Sequence, residues 1–160
     1  MTTMDRATAV RRRLVQANGI DITAATITGN AWASPSAVIT GAGAILSSSA
    51  TAGIGYVTGA GGTQTQGTSR ATAVTLDKVT GAITLFSAAG SPTPASFTVN
   101  NSAVVATDTI LLTQKSGTDK YELSVTAVGT GSFEITFNTT GGTTVEQPVF
   151  SFTVIKGVTS

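Results

Sequence analysis

Apolar and polar residues alternate along most of the chain from about Gly67 to Gly157, and this period of two most constrains the fold. Successive side chains of a strand point to opposite faces, so alternation predicts strands with one buried and one solvated face. The two clearest inward sets are Tyr121, Leu123, Val125 and Ala127, then Phe133, Ile135 and Phe137. With turn signals spaced about 8–12 residues apart, the pattern predicts a mainly β fold, an antiparallel β-sandwich of jelly-roll or immunoglobulin-like type.

Five further strands complete a predicted set of seven. Their inward residues are Val74 and Leu76, Ile83 and Leu85, Phe97 and Val99, Ile110 and Leu112, and finally Phe150, Phe152 and Val154. Glycine marks the predicted turns, at Thr80-Gly81, Gly117 to Asp119 and Gly129 to Gly131, and the end of a strand at Gly141-Gly142. The run Gly59 to Gly62 has no Gly-Lys-Ser/Thr ending, so we interpret it as a flexible entry to the domain rather than a phosphate loop.

Composition removes most catalytic chemistry. The 160 residues contain no His and no Cys, which excludes an imidazole base, a thiol nucleophile, a zinc site built on either residue and a disulfide scaffold. Thr, Ala, Gly and Ser supply more than half of the chain, and charged residues only 11%. Threonine on outward positions accounts for this composition, because it favours strands while carrying no charge.

The few acidic residues do not suggest a site. Asp119 and Glu122 form the nearest acidic pair of the strand-rich part, and we interpret them as ordinary surface. Asp108 stands between two threonines with no second acid nearby, which disfavours a calcium loop. A serine or threonine nucleophile would need a lysine base, and no spacing favours one. The sequence therefore predicts a protein that is not an enzyme and has no catalytic residues, no cofactor and no metal site.

Basic residues gather at the N-terminus, in a predicted segment 1–18 that forms a short helix ending at Asn18-Gly19. Arg11, Arg12 and Arg13 lie near its end, with Val10 and Leu14 on one side. Two interpretations stay open: a solvated helix face, or an anchor to an acidic surface. Nucleic acid is disfavoured as a partner because the patch is small and has no aromatic residues.

Residues 19–52 are predicted to form an extended arm or shaft, with a Gly/Ser-rich linker as the alternative. Ile20, Ile22 and Ala24 show period-two spacing, and small side chains allow another chain to approach closely. We expect Trp32 and Tyr56 to pack at a subunit interface, although two aromatic residues also fit a sugar platform. No apolar run approaches the roughly 20 residues of a membrane span.

A glycine-rich stretch and the last predicted strand together form a distinctive pattern. The stretch GIGYVTGAGGTQTQGTSRATAVTLDKVTGAIT begins at Gly53, and the strand FSFTVIKG ends at Gly157. The positions that define the pattern are Gly55-Tyr56, Thr58, Gly59 to Gly62, Thr65-Gln66, Val74 to Leu76, Gly81, Ile83-Thr84 and Val154 to Gly157. In these positions the chain resembles a recurrent module of bacteriophage and prophage proteins. The resemblance covers 53–157 and implies a virion structural protein of the fibre, decoration or tail type.

Two functions follow as expectations. In the first, the chain is a virion component, attached to capsid or tail proteins by its arm, with the β-domain 53–157 projecting and three copies associating by analogy with fibres. In the second, it is a receptor- or glycan-binding tip that contacts a host-surface glycan through Asn100, Asn101, Gln114 and Tyr121.

Overall fold

The structure of the protein is a computed structural model, and it describes residues 55, 56 and 58–157. The described part is all-β and contains no helix. Its ten strands are β1 (Gly61–Thr65), β2 (Val74–Thr75), β3 (Thr80–Thr84), β4 (Ala88–Ala89), β5 (Ala95–Asn100), β6 (Thr109–Ser116), β7 (Lys120–Gly129), β8 (Ser132–Gly141), β9 (Val145–Glu146) and β10 (Val149–Ile155).

The strands form two four-stranded sheets and one two-stranded sheet. Sheet A has the order β1-β3-β10-β6, sheet B has the order β2-β5-β8-β7, and β4 pairs with β9. Most pairs are antiparallel as predicted, but β1 runs parallel to β3 and β2 runs parallel to β5. Both parallel pairs lie at sheet edges, where a long connection brings the first strand alongside its partner.

One hydrophobic core joins the inner faces of sheets A and B. The inward residues predicted for β5, β8 and β10 are all buried. Aromatic rings cross from one sheet to the other: Phe133 lies 5.2 Å from Phe152 and Phe137 lies 5.5 Å from Phe150, measured between ring centroids. Both pairs are edge-on, the arrangement that the charge distribution of aromatic rings favours. The alternation therefore identified the core correctly.

The turn predicted at Thr80-Gly81 is wrong, because both residues lie inside β3. Gly81 pairs with Phe152 of β10, and a Cβ atom there would come within 2.8 Å of the Phe152 ring. The glycine leaves room for a neighbouring aromatic side chain rather than turning the chain. Likewise, Gly61 and Gly62 begin β1 instead of forming a loop.

The inward position predicted for Ala127 is also wrong. The pairing of β7 with β8 shifts between Val125 and Ala127, which is the sign of a β-bulge. The extra residue reverses the alternation, so Ala127 is exposed and Val128 packs against the core instead.

The predicted helix 1–18 and arm 19–52 lie outside the described residues. The same holds for Val10, Arg11, Arg12, Arg13, Leu14 and Trp32. Of the residues predicted for attachment or association, the structure describes Tyr56.

Gly142 follows β8 in a left-handed backbone conformation with φ of +117°, and its Cα packs against the carboxylate of Asp119. A Cβ at this position would lie 2.1 Å from Asp119 Oδ1. We expect Gly142→Ala to lower the free energy of unfolding by about 2–3 kcal/mol, since strain and a clash add together. Chemical denaturation measures this change in the free energy of unfolding. Gly141→Ala is the matched control, because its nearest new contact is at 3.9 Å; an equal loss in both variants would contradict the explanation.

Candidate assembly surface

A groove of about 710 Å³ opens on the outer face of sheet A. Its walls are formed by Gly55, Tyr56, Thr80, Leu111, Thr153, Ile155 and Lys156. Three of these are large side chains with about half their surface exposed: Tyr56 at 46%, Leu111 at 53% and Ile155 at 50%. Scattered exposed apolar residues are ordinary, but three around one groove mark a surface suited to contact with another apolar surface.

Strand alternation places the apolar residues of the groove. Leu111 lies between the inward residues Ile110 and Leu112 of β6, and Ile155 follows the buried Val154 of β10. Both side chains must therefore point outward. Leu111 and Ile155 were not predicted from the sequence, because only the inward-facing residues of each strand were used to locate the core. The available signal was an apolar residue in the polar phase of a strand.

Tyr56 lies where the described chain enters the domain. Its hydroxyl donates a hydrogen bond to the carbonyl oxygen of Val154, so the phenol is held across β10. Its side chain lines the groove and stays about half exposed. The prediction that Tyr56 takes part in a subunit interface stays a prediction; its position on an open apolar groove is consistent with it.

The edges of the two sheets differ in how they are protected. β2 is only two residues long, β6 carries Lys115, and β7 carries Lys120, Glu122 and two bulges. Short length, charge and bulges are the usual devices against pairing with other chains. β1, with the sequence GGTQT, has none of them, and four of its five residues are exposed. Among the described residues no strand pairs with its outer edge.

Three of the four residues proposed for glycan contact are engaged within the domain. Asn101 is buried and bonds through Nδ2 to Lys78 O and through Oδ1 to Ala103 N. The Gln114 amide bridges Asp119 O and Tyr121 N at 2.7 and 3.0 Å. The Tyr121 ring packs against Phe150, and burial raises the pKa of its hydroxyl above the ordinary value. Asn100 alone of the four is exposed.

Arg70, the only arginine after residue 13, forms a clamp that the sequence analysis did not single out. Its guanidinium donates to the carbonyl oxygens of Phe86, Ala88, Ala89 and Glu146 and to the Tyr121 hydroxyl. These acceptors include both strands of the small β4–β9 sheet. The clamp therefore ties that sheet to β7. In so charge-poor a chain, an isolated arginine was the available signal.

Acidic side chains pin loops that are distant in sequence. Glu146 accepts hydrogen bonds from the amides of Thr118 and Asp119, and Asp108 accepts from Val105 and Gly157 and pairs with Lys156. Asp119, interpreted above as ordinary surface, is in fact buried and accepts from Thr144 N at 2.7 Å. Asp108 has amide and lysine partners and no second acid among them. These carboxylates have structural roles.

The pKa values of three carboxyls are shifted by these contacts. Burial raises the pKa of Glu146, but the amide hydrogen bonds of Thr118 and Asp119 lower it more, so the net shift takes it below the ordinary pKa of a glutamate. Burial also raises the pKa of Asp108, but its bonds to Lys156, Val105 and Gly157 bring it below the ordinary pKa of an aspartate. The Ser102 amide bond lowers the pKa of Asp77.

Acid should therefore weaken the fold. A carboxyl whose pKa is lowered by folding stabilises the protein above its unfolded pKa, and that stabilisation is lost as the pH falls through the folded pKa. We expect Tm to fall progressively below about pH 4.5, and Glu146→Gln to reduce this dependence. Thermal melts between pH 2 and 7 measure it. Glu122→Gln, at an exposed position of β7, is the control for the loss of one negative charge. A Tm that does not change with pH over this range would contradict the prediction.

Within the described residues there is no group of three or more acidic side chains arranged to hold a metal ion. No helix in that part of the chain is long and apolar enough to cross a membrane. Comparison with known protein families, with curated proteins and with solved structures finds no match.

Proposed function

We propose that this protein is a non-enzymatic structural component of a phage or phage-like virion. In this account residues 1–52 attach it to capsid or tail proteins or to sibling copies, and the β-domain projects as a β-sandwich of jelly-roll or immunoglobulin-like type. The observation that carries the proposal is the groove at Tyr56, Leu111 and Ile155, an apolar surface where the described chain enters its domain.

Two further observations support an assembly role over a receptor-binding one. The polar groups of Asn101, Gln114 and Tyr121 are engaged within the domain, which leaves little of the proposed glycan-binding set available. The open edge of β1 instead offers main-chain groups to another polypeptide. The resemblance over 53–157 adds the virion as the setting, and three copies remain the favoured stoichiometry by analogy with fibres.

Charge reversal in the N-terminal segment tests attachment. We expect Arg11→Glu combined with Arg12→Glu to abolish incorporation into particles, because the predicted anchor would then be repelled by an acidic particle surface. Incorporation is measured by complementing a particle that lacks the protein and blotting purified particles. The circular dichroism and Tm of the variant should match the parent, which separates lost attachment from misfolding.

Lys115→Glu combined with Lys120→Glu is the matched control, with the same charge change placed on β6 and β7. Normal incorporation of the N-terminal variant would overturn the anchor. Equal loss in both variants would attribute the effect to net charge.

A further inference from the structure

Among the described residues no strand pairs with the outer edge of β1, so this edge can accept an extended partner. In a sheet, an edge strand presents unpaired N–H and C=O groups along its free side, and a second extended chain satisfies them. β1 has the sequence GGTQT, with no charge and no proline, and four exposed residues. The contrast with the short β2, the charged β6 and the bulged, charged β7 makes β1 the edge best suited to pairing.

β1 and the groove belong to the same sheet. Gly61 of β1 pairs with Thr80 of β3, and Thr80 forms part of the groove wall together with Leu111 and Ile155. A strand added to the free edge of β1 extends sheet A on the side away from β3, so β1 and β3 separate it from the apolar residues on β10 and β6. The partner should be strand-forming, nearly uncharged and supplied with branched apolar residues.

The chain carries such a segment. Residues 20–28, IDITAATIT, combine three isoleucines and three threonines with one charge. Ile and Thr favour strands, and the spacing of Ile20, Ile22 and Ala24 has the period of a strand. The 26 residues from 29 to 54 separate this segment from Gly55, and at up to about 3.3 Å for each extended residue they are long enough for the segment to reach a neighbouring copy.

We propose that the outer edge of β1 receives residues 20–28 from a second copy of this chain. The proposal rests on the assembly function above and names the partner of that surface. Because the donor segment and the acceptor edge are different parts of the chain, the contact is heterologous, and a heterologous contact whose rotation closes forms a ring such as a trimer.

Cross-linking between single-cysteine variants tests this directly, since the natural chain has no cysteine. Thr26→Cys and Gln64→Cys are prepared separately, mixed under conditions that allow exchange and treated with a short bismaleimide. We expect a covalent pair of two chains on a denaturing gel. Ser124→Cys replaces Gln64→Cys in the control, because it is equally exposed but lies on β7 of sheet B, and it should give no pair.

A second variant checks the edge itself. Thr63→Lys places a charge in the middle of β1, and we expect it to remove the cross-link in the Gln64→Cys background while the far-UV circular dichroism spectrum stays that of the parent. The double variant Thr26→Cys/Gln64→Cys carries both cysteines in one chain. If it cross-links only within single chains, each chain covers its own edge and the proposal is overturned. Absence of any cross-link would also overturn it. If native mass still shows an oligomer in that case, the assembly function stands and only the assignment to β1 fails.

Discussion

Phe150→Ala should lower the free energy of unfolding by about 3–5 kcal/mol, the cost of removing a large aromatic side chain from a packed core. Phe150 is fully buried in β10. Its ring contacts Phe137 at 5.5 Å and Tyr121 at 5.4 Å between centroids, so it joins sheet A to two strands of sheet B. Truncation leaves a cavity at the contact between the sheets, and small domains have only about 5–15 kcal/mol to lose.

Denaturant unfolding followed by far-UV circular dichroism measures this loss of unfolding free energy. Leu111→Ala is the matched control, an apolar truncation on the neighbouring strand β6 at a half-exposed position, and should cost less than about 1 kcal/mol in the isolated subunit. A loss below 1 kcal/mol for Phe150→Ala would contradict the placement of the core between the two sheets.

Arg70→Ala should lower the free energy of unfolding by about 2–4 kcal/mol, because it leaves several carbonyl oxygens without their charged donor. The guanidinium spans acceptors on β4, β7 and β9 at once, and its carbon lies 5.6 Å from the centre of the Tyr121 ring. Hydrogen exchange should show the largest gain at the amides of the β4–β9 sheet, since that sheet has only two residues in each strand.

Arg70→Lys separates geometry from charge. A lysine keeps the positive charge but has no planar fork, so it cannot reach all five acceptors at once, and we expect most of the loss to persist. Lys115→Ala on exposed β6 controls for the removal of a basic side chain and should change stability by less than about 0.5 kcal/mol. Full stability of Arg70→Lys would show that the clamp acts through charge alone.

Alternation predicted the core well because burial on one face of a strand leaves a direct trace in the sequence. Phe133, Ile135 and Phe137, and likewise Phe150, Phe152 and Val154, occupy the predicted inward positions. Where prediction failed, the deciding contact came from another strand. Gly81 is a glycine because of the Phe152 ring beside it, and Ala127 turns outward because the pairing with β8 shifts by one residue.

The candidate surface was harder to predict than the core. Tyr56 was predicted to lie at an interface from its type alone, whereas Leu111 and Ile155 became visible only once the strands had assigned them to the outer face. The open edge of β1 had no sequence signal, because parallel pairing with β3 joins residues about twenty positions apart. The clamp at Arg70 likewise depends on carbonyl oxygens, which every residue carries and no pattern reveals.

The native mass of the full-length protein tests the central claim, that the chain is a subunit of a larger assembly. Light scattering coupled to size-exclusion chromatography, over a hundredfold range of protein concentration, gives the mass directly. We expect a stable species near three times the 16.0 kDa of one chain. A mass of one chain at every concentration would contradict the claim that copies of this chain associate.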